Sequence, residues 1–469
     1  MEPATQKRNS EQLSVLSGQK QWSPQHQSKQ TFRLKQKITN ATFRLKQKII
    51  KIMTKEQLKE IYFDQKRVFT KKDKLIDRDM DLEKYLQTSQ IVVITGVRRS
   101  GKSSLLYLIS KQLNLQEQDF CYLNLDDERI PQDISIFEDI YSLHRQMYQN
   151  EPVFFFDEVQ NIKGWERFIN RIYENGSKIY LTGSNASLLS SEISTTLTGR
   201  NKTIELFPFS FSEFLRFKNI KLSIYQLDTR VKATLIKAFD EFIKIGGFPL
   251  VVKEDDTEIL DTYFKDILYR DIIARFRISQ IEEIKHIGIY FAANVAKLFS
   301  ISTLQKITGI KSTASINDYL HYYIQSYMFY FIRKYDFSVK KQILNPRKVY
   351  AVDQGLANRI GFSFSENKGR VLENIVFLQL LRKKADVFYF SKKNECDFVI
   401  KQGLKITDAI QVCYSLNHEN MDRELHGLLE PMDEFNLSHG KLIVYNTEIK
   451  QNELPANVKL MYIWQWLLE

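Results

Sequence analysis

The sequence has few cysteines and no long apolar run, and each scarcity excludes a class of protein. Its three cysteines, Cys121, Cys396 and Cys413, lie far apart along 469 residues. They have neither the paired spacing of zinc ligands nor the density of a disulfide-stabilised secreted domain. No apolar run approaches the roughly 20 residues that a membrane-spanning helix needs. We therefore expect a cytoplasmic protein with no membrane partner, no disulfide framework and no structural zinc.

Acidic side chains are scarce only in the N-terminal tail. Residues 1–52 hold eleven Lys or Arg and two Glu, so the tail carries +9 of the net charge of +12. The rest of the chain is close to neutral, and total charge is therefore weak evidence for a body that binds nucleic acid. Because the tail is rich in Gln, Ser and Lys and lacks regular patterning, we expect it to be disordered.

The tail also contains a tandem repeat, since TFRLKQKI at residues 31–38 recurs at residues 42–49. One interpretation is a basic arm for nucleic acid or an organelle-targeting segment. The interpretation that we favour is a duplicated extension, or a translation start assigned too far upstream with Met53 as the working start. The tail also lacks the apolar core of a secretory signal.

The stretch IVVITGVRRSGKSSLL at residues 91–106 predicts an apolar strand, a loop bounded by glycines and the start of a helix. It contains the pattern G-x-x-x-x-G-K-[ST] of a phosphate-binding loop. Such a loop wraps its N–H groups around a polyphosphate, while the lysine reaches the β- and γ-phosphates and the hydroxyl binds Mg²⁺. We expect ATP and Mg²⁺ to be bound by Gly96, Arg98, Arg99, Ser100, Gly101, Lys102, Ser103 and Ser104.

An acidic pair follows a second buried strand. The run VFFF at residues 153–156 is typical of a central parallel strand, and Asp157 and Glu158 come directly after it. Ligands bind at the carboxyl ends of strands in open α/β sheets. We therefore expect Asp157 to hold Mg²⁺, directly or through water, and Glu158 to activate the attacking water.

Three further polar residues are weaker candidates for catalysis. Ser184 and Asn185 follow the next strand, where either could contact the γ-phosphate or the lytic water, or simply cap a helix. Arg200, in the sequence Thr198-Gly-Arg200, could stabilise charge on the γ-phosphate of a neighbouring subunit in a homo-oligomer. The alternative for Arg200 is a solvated surface arginine.

Strands alternating with helices predict an α/β protein with a parallel sheet, and the length predicts two to four folded domains. Residues 302–309 and 312–326 have the length and glycine-bearing turn of a helix-turn-helix or winged-helix-like module. Its second helix is aromatic and nearly free of Lys or Arg, so we favour packing or partner binding over direct DNA contact. The expected divisions are a tail over 1–52, an ATPase core over 53–206, a helical lid over 207–280, the helix-turn-helix-like module over 281–345 and a last domain over 346–469.

These features resemble a family of prokaryotic P-loop ATPases of the AAA+ type, in which a C-terminal restriction-endonuclease-like domain follows the ATPase. The resemblance covers about residues 55–460. The matching motifs are TGVRRSGKS at 95–103, DEVQ at 157–160, LTGS at 181–184, LTGR at 197–200, PFSFSEF at 208–214, GGFP at 246–249, YRD at 269–271, EN at 373–374, CDF at 396–398 and QVCYS at 411–415.

The resemblance implies a second metal site in the last domain. Endonucleases of this fold cut phosphodiesters with a helix Glu, a strand Asp and then Glu/Gln-x-Lys, and Glu373, Asp397 and Gln411 match the first three positions. Cys413 stands where the lysine is expected, which favours a degenerate domain over an active nuclease. Lys401 on a neighbouring strand is an alternative cation.

The sequence therefore leaves three functions open. The first is an ATP-hydrolysing protein that acts on its C-terminal domain, with DNA as the partner implied by the resemblance. The second is an ATP-regulated, metal-dependent nuclease. The third is a nucleotide switch that recruits a protein partner without catalysis. GTP is disfavoured because no Asn-Lys-x-Asp motif occurs in the core.

Overall fold

The computed structural model describes residues 53–71, 75–186, 199–220, 228–361 and 368–469. The chain divides into two compact units, Met1–Leu58 and Lys59–Glu469, and the described part of the first unit is residues 53–58. The basic tail, its repeat and Thr198 lie outside the described residues. Within the described ranges, no helix is long and apolar enough to cross a membrane.

A five-stranded parallel sheet carries the phosphate-binding motif. Its strands are β1 (Ile91–Thr95), β2 (Phe120–Asn124), β3 (Val153–Asp157), β4 (Ile179–Gly183) and β5 (Asn201–Glu205), paired in the order β2-β3-β4-β1-β5. The accompanying helices are α1 (Lys55–Thr70), α2 (Glu83–Leu86), α3 (Lys102–Gln112), α4 (Ser135–Tyr148) and α5 (Trp165–Glu174), with short 3₁₀ turns at Glu117–Asp119 and Val159–Asn161.

This strand order decides which side chains meet. Strands β1 and β4 are buried along their whole length, and the three phenylalanines of β3 are fully buried. Such strands need apolar residues on both faces, which explains the uninterrupted apolar runs of the sequence. Because β4 lies between β1 and β3, the phosphate-binding loop, the acidic pair and the end of β4 emerge side by side at one carboxyl edge.

A helical region follows the sheet. It contains α6 (Phe211–Phe217), α7 (Thr229–Ile245), α8 (Pro249–Glu254), α9 (Ile259–Asp266) and a π-helix (Ile267–Ala274). The turn between α7 and α8 passes close to the segment that follows β5, because a Cβ on Gly247 would lie 2.3 Å from the carbonyl oxygen of Phe209. Only glycine fits there, so this turn fixes the helices against the ATPase core.

The next module combines helices with a small antiparallel sheet of order β6-β8-β7. Its elements are α10 (Ile281–Ala293), β6 (Leu298–Phe299), α11 (Ile301–Thr308), α12 (Thr313–Gln325), β7 (Phe329–Arg333), α13 (Val339–Leu344) and β8 (Arg347–Ala351). The predicted helices at 302–309 and 312–326 correspond to α11 and α12. The expected boundary between residues 345 and 346 falls in the connection between β7 and β8. The sequence of β8 does not indicate that this strand pairs with β7, and the boundary therefore separates two paired strands.

The last part of the chain is a mixed five-stranded sheet of order β13-β12-β11-β10-β9. Its elements are α14 (Gln354–Gly361), α15 (Lys368–Arg382), β9 (Asp386–Ser391), β10 (Glu395–Gln402), β11 (Lys405–Leu416), α16 (Met421–Glu434), β12 (Gly440–Thr447), a 3₁₀ turn (Gln451–Glu453), β13 (Val458–Tyr462) and α17 (Ile463–Trp466). Strand β10 pairs antiparallel with β9 and β11, whereas β12 pairs in parallel with β11 and β13. The helix and the strand that the resemblance implies for Glu373 and Asp397 correspond to α15 and β10.

Candidate functional site

The phosphate-binding loop joins β1 to α3 in a conformation that demands glycine. Gly96 has φ +137°, and a Cβ there would lie 2.2 Å from the carbonyl oxygen of Leu206. Helix α3 begins at Lys102, directly after Gly101. The loop therefore directs backbone N–H groups and a helix N-terminus at the carboxyl edge of the sheet, which is a favourable place for an anion.

Lys102 lies at the centre of this edge. Its side chain is 4% exposed, and its Nζ lies 3.4 Å from the Glu158 carboxylate. The same ammonium donates to the carbonyl oxygens of Gly96 and Val97, each at 3.3 Å. All three contacts are long for charge-assisted hydrogen bonds, which favour 2.7–2.9 Å. The ammonium is therefore available to a stronger anionic partner.

Asp157 is buried at the end of β3 and held by two hydroxyl groups. The Tyr122 hydroxyl donates to Oδ2 at 3.1 Å, and the Thr182 hydroxyl donates to Oδ1. Burial, together with the charge of Asp157, raises the pKa of Tyr122 well above its usual range, so the tyrosine remains a donor. Asp157 is thus oriented while its remaining lone pairs stay available for a cation.

Glu158 leaves the strand with a left-handed backbone, at φ 55°. Its N–H donates to the Thr182 hydroxyl at 2.9 Å, and Gln160 donates to its carboxylate at 2.5 Å. Burial acts to raise the pKa of Glu158, but the Lys102 ammonium and the Gln160 hydrogen bond outweigh burial and lower it. The carboxylate is therefore ionised at neutral pH, as a base must be.

The other predicted contributors at this edge differ in exposure. Ser184 is buried and accepts a hydrogen bond from Gln160 at 3.3 Å, so it lies beside the acidic pair. Asn185 is also buried, whereas Arg99 is exposed in a left-handed backbone conformation. The buried hydroxyl of Ser100 has no hydrogen-bond partner among the described residues. Ser103 and Ser104 are half-buried in the first turn of α3.

Arg98 links the phosphate-binding loop to the π-helix. Its guanidinium forms two hydrogen bonds of 2.9 Å with the carboxylate of Asp271 and lies 3.8 Å from Asp126. Burial opposes the charge of Arg98, but Asp271 outweighs it and raises the pKa of Arg98. The neighbouring Arg270 lies 3.3 Å from Asp126. The loop and the helical region are thus joined by a largely buried bidentate ion pair.

Arg200 lies far from the phosphate-binding loop of its own chain. It directly precedes β5, whose first residue pairs with Ile91 at the start of β1, so it lies at the amino edge of the sheet. Its guanidinium contacts Asn170 and Glu174 on α5. Its predicted role toward a neighbouring subunit stays a prediction.

An apolar cavity of about 220 Å³ adjoins the loop. Gly101, Ser104 and Leu105 of the motif line one side of it, and Phe209 and Pro249 line another. The remaining lining residues are Leu75, Ile76, Arg78, Leu108, Phe217, Leu250 and Lys253. Its position beside the phosphate-binding loop and its apolar walls suit a flat aromatic base.

A second buried lysine, which the sequence did not predict, lies between the small antiparallel sheet and the last sheet. Lys348 on β8 is 2% exposed, and its Nζ lies 2.9 Å from Glu373, 3.1 Å from Asp397 and 2.7 Å from Glu395. The Tyr350 hydroxyl also donates to Glu373 at 2.7 Å. The two implied carboxylates do meet, but an ammonium of the neighbouring module lies between them.

In the cluster around Lys348, three carboxyl groups surround one ammonium. Burial, with the nearby charge of Asp397, raises the pKa of Glu373 to about 8, while Lys348 opposes that rise. Burial acts to lower the pKa of Lys348, but Glu373 and Asp397 outweigh burial and raise it well above its usual range. At neutral pH the lysine is therefore charged and Glu373 retains a proton.

Gln411, the third residue of the implied metal site, hydrogen-bonds to other groups. Its amide donates to Glu424 at 2.8 Å and accepts only from the backbone N–H of Asp397, at 3.3 Å. Cys413 is buried, and burial with the charge of Glu424 raises the pKa of its thiol to about 12. Lys401 points to Asp386 instead, at 4.0 Å. Across the described ranges, no group of three or more His, Cys, Asp or Glu side chains is arranged to hold a metal ion.

Sequence reasoning therefore missed five residues that organise these two clusters. They are Tyr122, Gln160, Thr182, Asp271 and Lys348. Gln160, Thr182 and Asp271 lie in the matching motifs, so the signal was present but had no assigned role. Lys348 carried no local signal, because its partners lie 25 to 49 residues away in sequence.

The comparisons with known proteins place an AAA domain over residues 88–215 and a domain of unknown function over residues 236–366. Uncharacterized protein MJ1544 of Methanocaldococcus jannaschii is 37% identical over 432 residues, covering 87% of this chain and 94% of that protein. An uncharacterized protein of Haemophilus influenzae is 31% identical over 415 residues, covering 84% of this chain and 99% of that protein.

Solved structures match only distantly. AMPPCP-bound DnaA from Aquifex aeolicus is 17% identical with a TM-score of 0.23, covering 51% of this chain and 84% of that chain. The Aeropyrum pernix ORC1 protein in complex with DNA is 10% identical with a TM-score of 0.30, covering 63% of this chain and 95% of that chain. The matched domain and the two full-length relatives carry more weight: the chain belongs to the family of AAA-domain proteins that includes MJ1544.

Proposed function

We propose that this protein binds and hydrolyses Mg·ATP at the carboxyl edge of its parallel sheet. The observation that carries the proposal is the position of Lys102, whose ammonium lies 3.4 Å from Glu158 at the edge where Asp157 also ends. A phosphate-binding lysine beside two strand-end carboxylates is the arrangement that phosphoryl transfer needs, because the reaction depends on positioning and charge stabilisation.

The residues at this edge divide the work of binding. Backbone N–H groups of the loop and Lys102 would hold the phosphates, and Ser103 with Asp157 would hold Mg²⁺. The unpartnered Ser100 hydroxyl and the carboxylate of Asp157, oriented by two hydroxyls, support this fit. When bound, the cation neutralises charge on the phosphates.

Glu158 would accept a proton from the attacking water. Its lowered pKa keeps it ionised, and Gln160 and Thr182 hold it in position. Without nucleotide, its carboxylate is paired with Lys102. Because phosphate is a stronger partner for Lys102, nucleotide binding would release Glu158 for catalysis.

The apolar cavity of about 220 Å³ would take the base. Its walls offer Pro249, Leu250 and Phe209 for contact with an aromatic ring, and the sequence lacks the Asn-Lys-x-Asp motif for guanine. We therefore assign adenine to this cavity and ATP to the whole site.

The pair formed by Arg98 and Asp271 would transmit the nucleotide state to the helical region. Arg98 belongs to the loop that contacts phosphates, and Asp271 belongs to the π-helix. A phosphate that attracts Arg98 would weaken its bond with Asp271. The helices that follow would then respond to binding and hydrolysis.

The last sheet would be a non-catalytic, endonuclease-like domain. Its mixed strand order and the placement of Glu373 on α15 and Asp397 on β10 support that fold. Helices α10, α11 and α12, with the three-stranded antiparallel sheet before the last sheet, support a winged-helix-like module. Lys348 occupies the space between the carboxylates, which favours a structural junction over a metal centre.

The test compares ATP binding and turnover in the wild type, Lys102→Ala and Glu158→Gln, with Lys111→Ala as control. Lys111 is an exposed lysine on the same helix. We expect Lys102→Ala to lose binding, and Glu158→Gln to keep binding but to lose at least about a hundredfold in turnover. Equal turnover in Glu158→Gln and wild type would remove the base assignment. ATP-dependent assembly without turnover would favour the nucleotide switch.

A further inference from the structure

The hairpin between β7 and β8 carries a concentration of positive charge that the ATPase does not use. Residues 333–347 hold five Lys or Arg and one Asp. The basic residues are Arg333, Lys334, Lys340, Lys341 and Arg347. We call this segment the basic hairpin. Because the rest of the chain after residue 52 is close to neutral, this segment is a local concentration of positive charge.

Two of these arginines face each other across the strands. Arg333 is registered directly opposite Arg347, and like charges in directly opposite positions destabilise a sheet. Burial, with the charge of Arg333, lowers the pKa of Arg347. Among the described residues, neither guanidinium forms an ion pair. An anion between them would relieve this repulsion.

The acidic cluster nearby does not neutralise Arg347. Successive residues of a strand point to opposite faces, and the next residue, Lys348, is the one whose side chain reaches Glu373 and Asp397. Asp336, the single acid of the hairpin, accepts from the backbone N–H of Ser338 at 2.8 Å. The positive charge therefore stays on the face away from the cluster.

The tip of the basic hairpin is apolar and exposed. Phe337 is 75% exposed, Leu344 72% and Val339 66%. These side chains alternate with Lys340 and Lys341 on and around α13. Proteins that bind the minor groove combine cations with apolar side chains in this way, and the apolar groups press against or between base pairs.

Helix α12 has no lysine or arginine with which to contact a phosphate. Its thirteen residues, TASINDYLHYYIQ, contain no Lys or Arg and one Asp. Helix-turn-helix units usually read the major groove with this second helix. Here the cations lie on the hairpin instead.

We propose that the basic hairpin binds double-stranded DNA, with Arg333 and Arg347 gripping a phosphate and the apolar tip entering a groove. DNA fits better than an acidic protein, because strand pairing holds Arg333 opposite Arg347 and paired guanidinium groups match phosphate geometry. The proposal does not depend on ATP hydrolysis.

The experiment measures anisotropy of a short fluorescent duplex against the full chain at several salt concentrations. The variants are Arg333→Ala with Arg347→Ala, and Phe337→Ser with Leu344→Ser. The control is Arg230→Ala with Arg277→Ala, which removes two exposed arginines elsewhere. Each protein is also measured in the Lys102→Ala background, so loss of ATPase activity cannot be mistaken for loss of DNA binding.

We expect the paired arginine variant to bind about tenfold more weakly and to lose about 1 from the slope of log affinity against log salt, because one phosphate contact is removed. The apolar variant should bind more weakly with an unchanged slope, and the control should match the wild type. Photocrosslinks from a bromouracil-substituted duplex should map to residues 333–347.

Three outcomes would overturn the proposal. One is equal affinity and equal salt slope in the arginine variant and the control. Another is crosslinking confined to residues 1–52, which would assign binding to the basic tail. The third is a hairpin-dependent association with phosphatidylserine vesicles but not with the duplex, which would identify a membrane surface as the partner.

Discussion

Two buried lysines lie beside carboxylates in this molecule, and their surroundings differ. Lys102 has one carboxylate neighbour, Glu158, at 3.4 Å, and two carbonyl contacts of 3.3 Å. Lys348 has three carboxylates at 2.7–3.1 Å. The first ammonium is weakly held next to a loop that binds anions. The second is tightly held between two modules.

The difference shows how one side chain serves ligand binding in one place and folding in another. Long contacts let Lys102 exchange its partner for a phosphate at small cost. Short ion pairs on several sides make Lys348 part of the core, where removing one partner leaves uncompensated charges. We therefore read the first cluster as a ligand site and the second as a junction between β8 and the last sheet.

The strongest test of this contrast is stability. Lys348→Met should lower the free energy of unfolding by about 3–5 kcal/mol, because the buried carboxylate of Asp397 loses its counter-ion. Lys102→Met should change it by less than about 1 kcal/mol, since its contacts are long. Denaturant unfolding without nucleotide measures both. Similar losses in the two variants would erase the distinction.

Metal binding should separate the two carboxylate groups next. With ATP present, Asp157→Asn should weaken Mn²⁺ binding by at least about tenfold, because one charged ligand becomes neutral. Asp397→Asn should leave Mn²⁺ binding unchanged. Titration calorimetry with and without ATP measures both effects. An ATP-independent Mn²⁺ site that disappears in Asp397→Asn would identify the last sheet as a metal centre and revive the nuclease hypothesis.

The smallest expected difference is in pH dependence. The pKa of Glu373 rises from an ordinary value near 4.5 to about 8, so the folded state binds an extra proton between these values. The contribution of Glu373 to the free energy of unfolding is therefore fully present below about pH 4.5 and is lost as the pH rises toward 8. Glu373→Gln should flatten that decline in unfolding measurements.

Glu158→Gln is the matched comparison, because the pKa of Glu158 is lowered instead. Its contribution to stability is lost as pH falls through the acid range, so its replacement should not flatten the decline between pH 4.5 and 8. Identical pH profiles for the two variants would show that Glu373 is not perturbed as the cluster implies.

Much of the ligand site was predictable because its signals are local. The loop motif, the apolar strands and Asp157 with Glu158 each occupy a few consecutive residues, and parallel pairing requires their strand ends to share an edge. Thr182 and Tyr122 were not predicted, since an uncharged hydroxyl at a strand end has many uses. The predicted role of Arg200 toward the γ-phosphate of a neighbouring subunit stays a prediction, because it concerns a second chain.

The sequence by itself determined the phosphate-binding loop, the run of buried strands and the helix and strands that carry Glu373, Asp397 and Gln411, because backbone geometry and burial impose those patterns locally. Only the tertiary structure decided that Lys348 lies between Glu373 and Asp397 and that Arg333 faces Arg347. Both depend on strand pairing and packing between distant segments, where register, and not local composition, sets which charges meet.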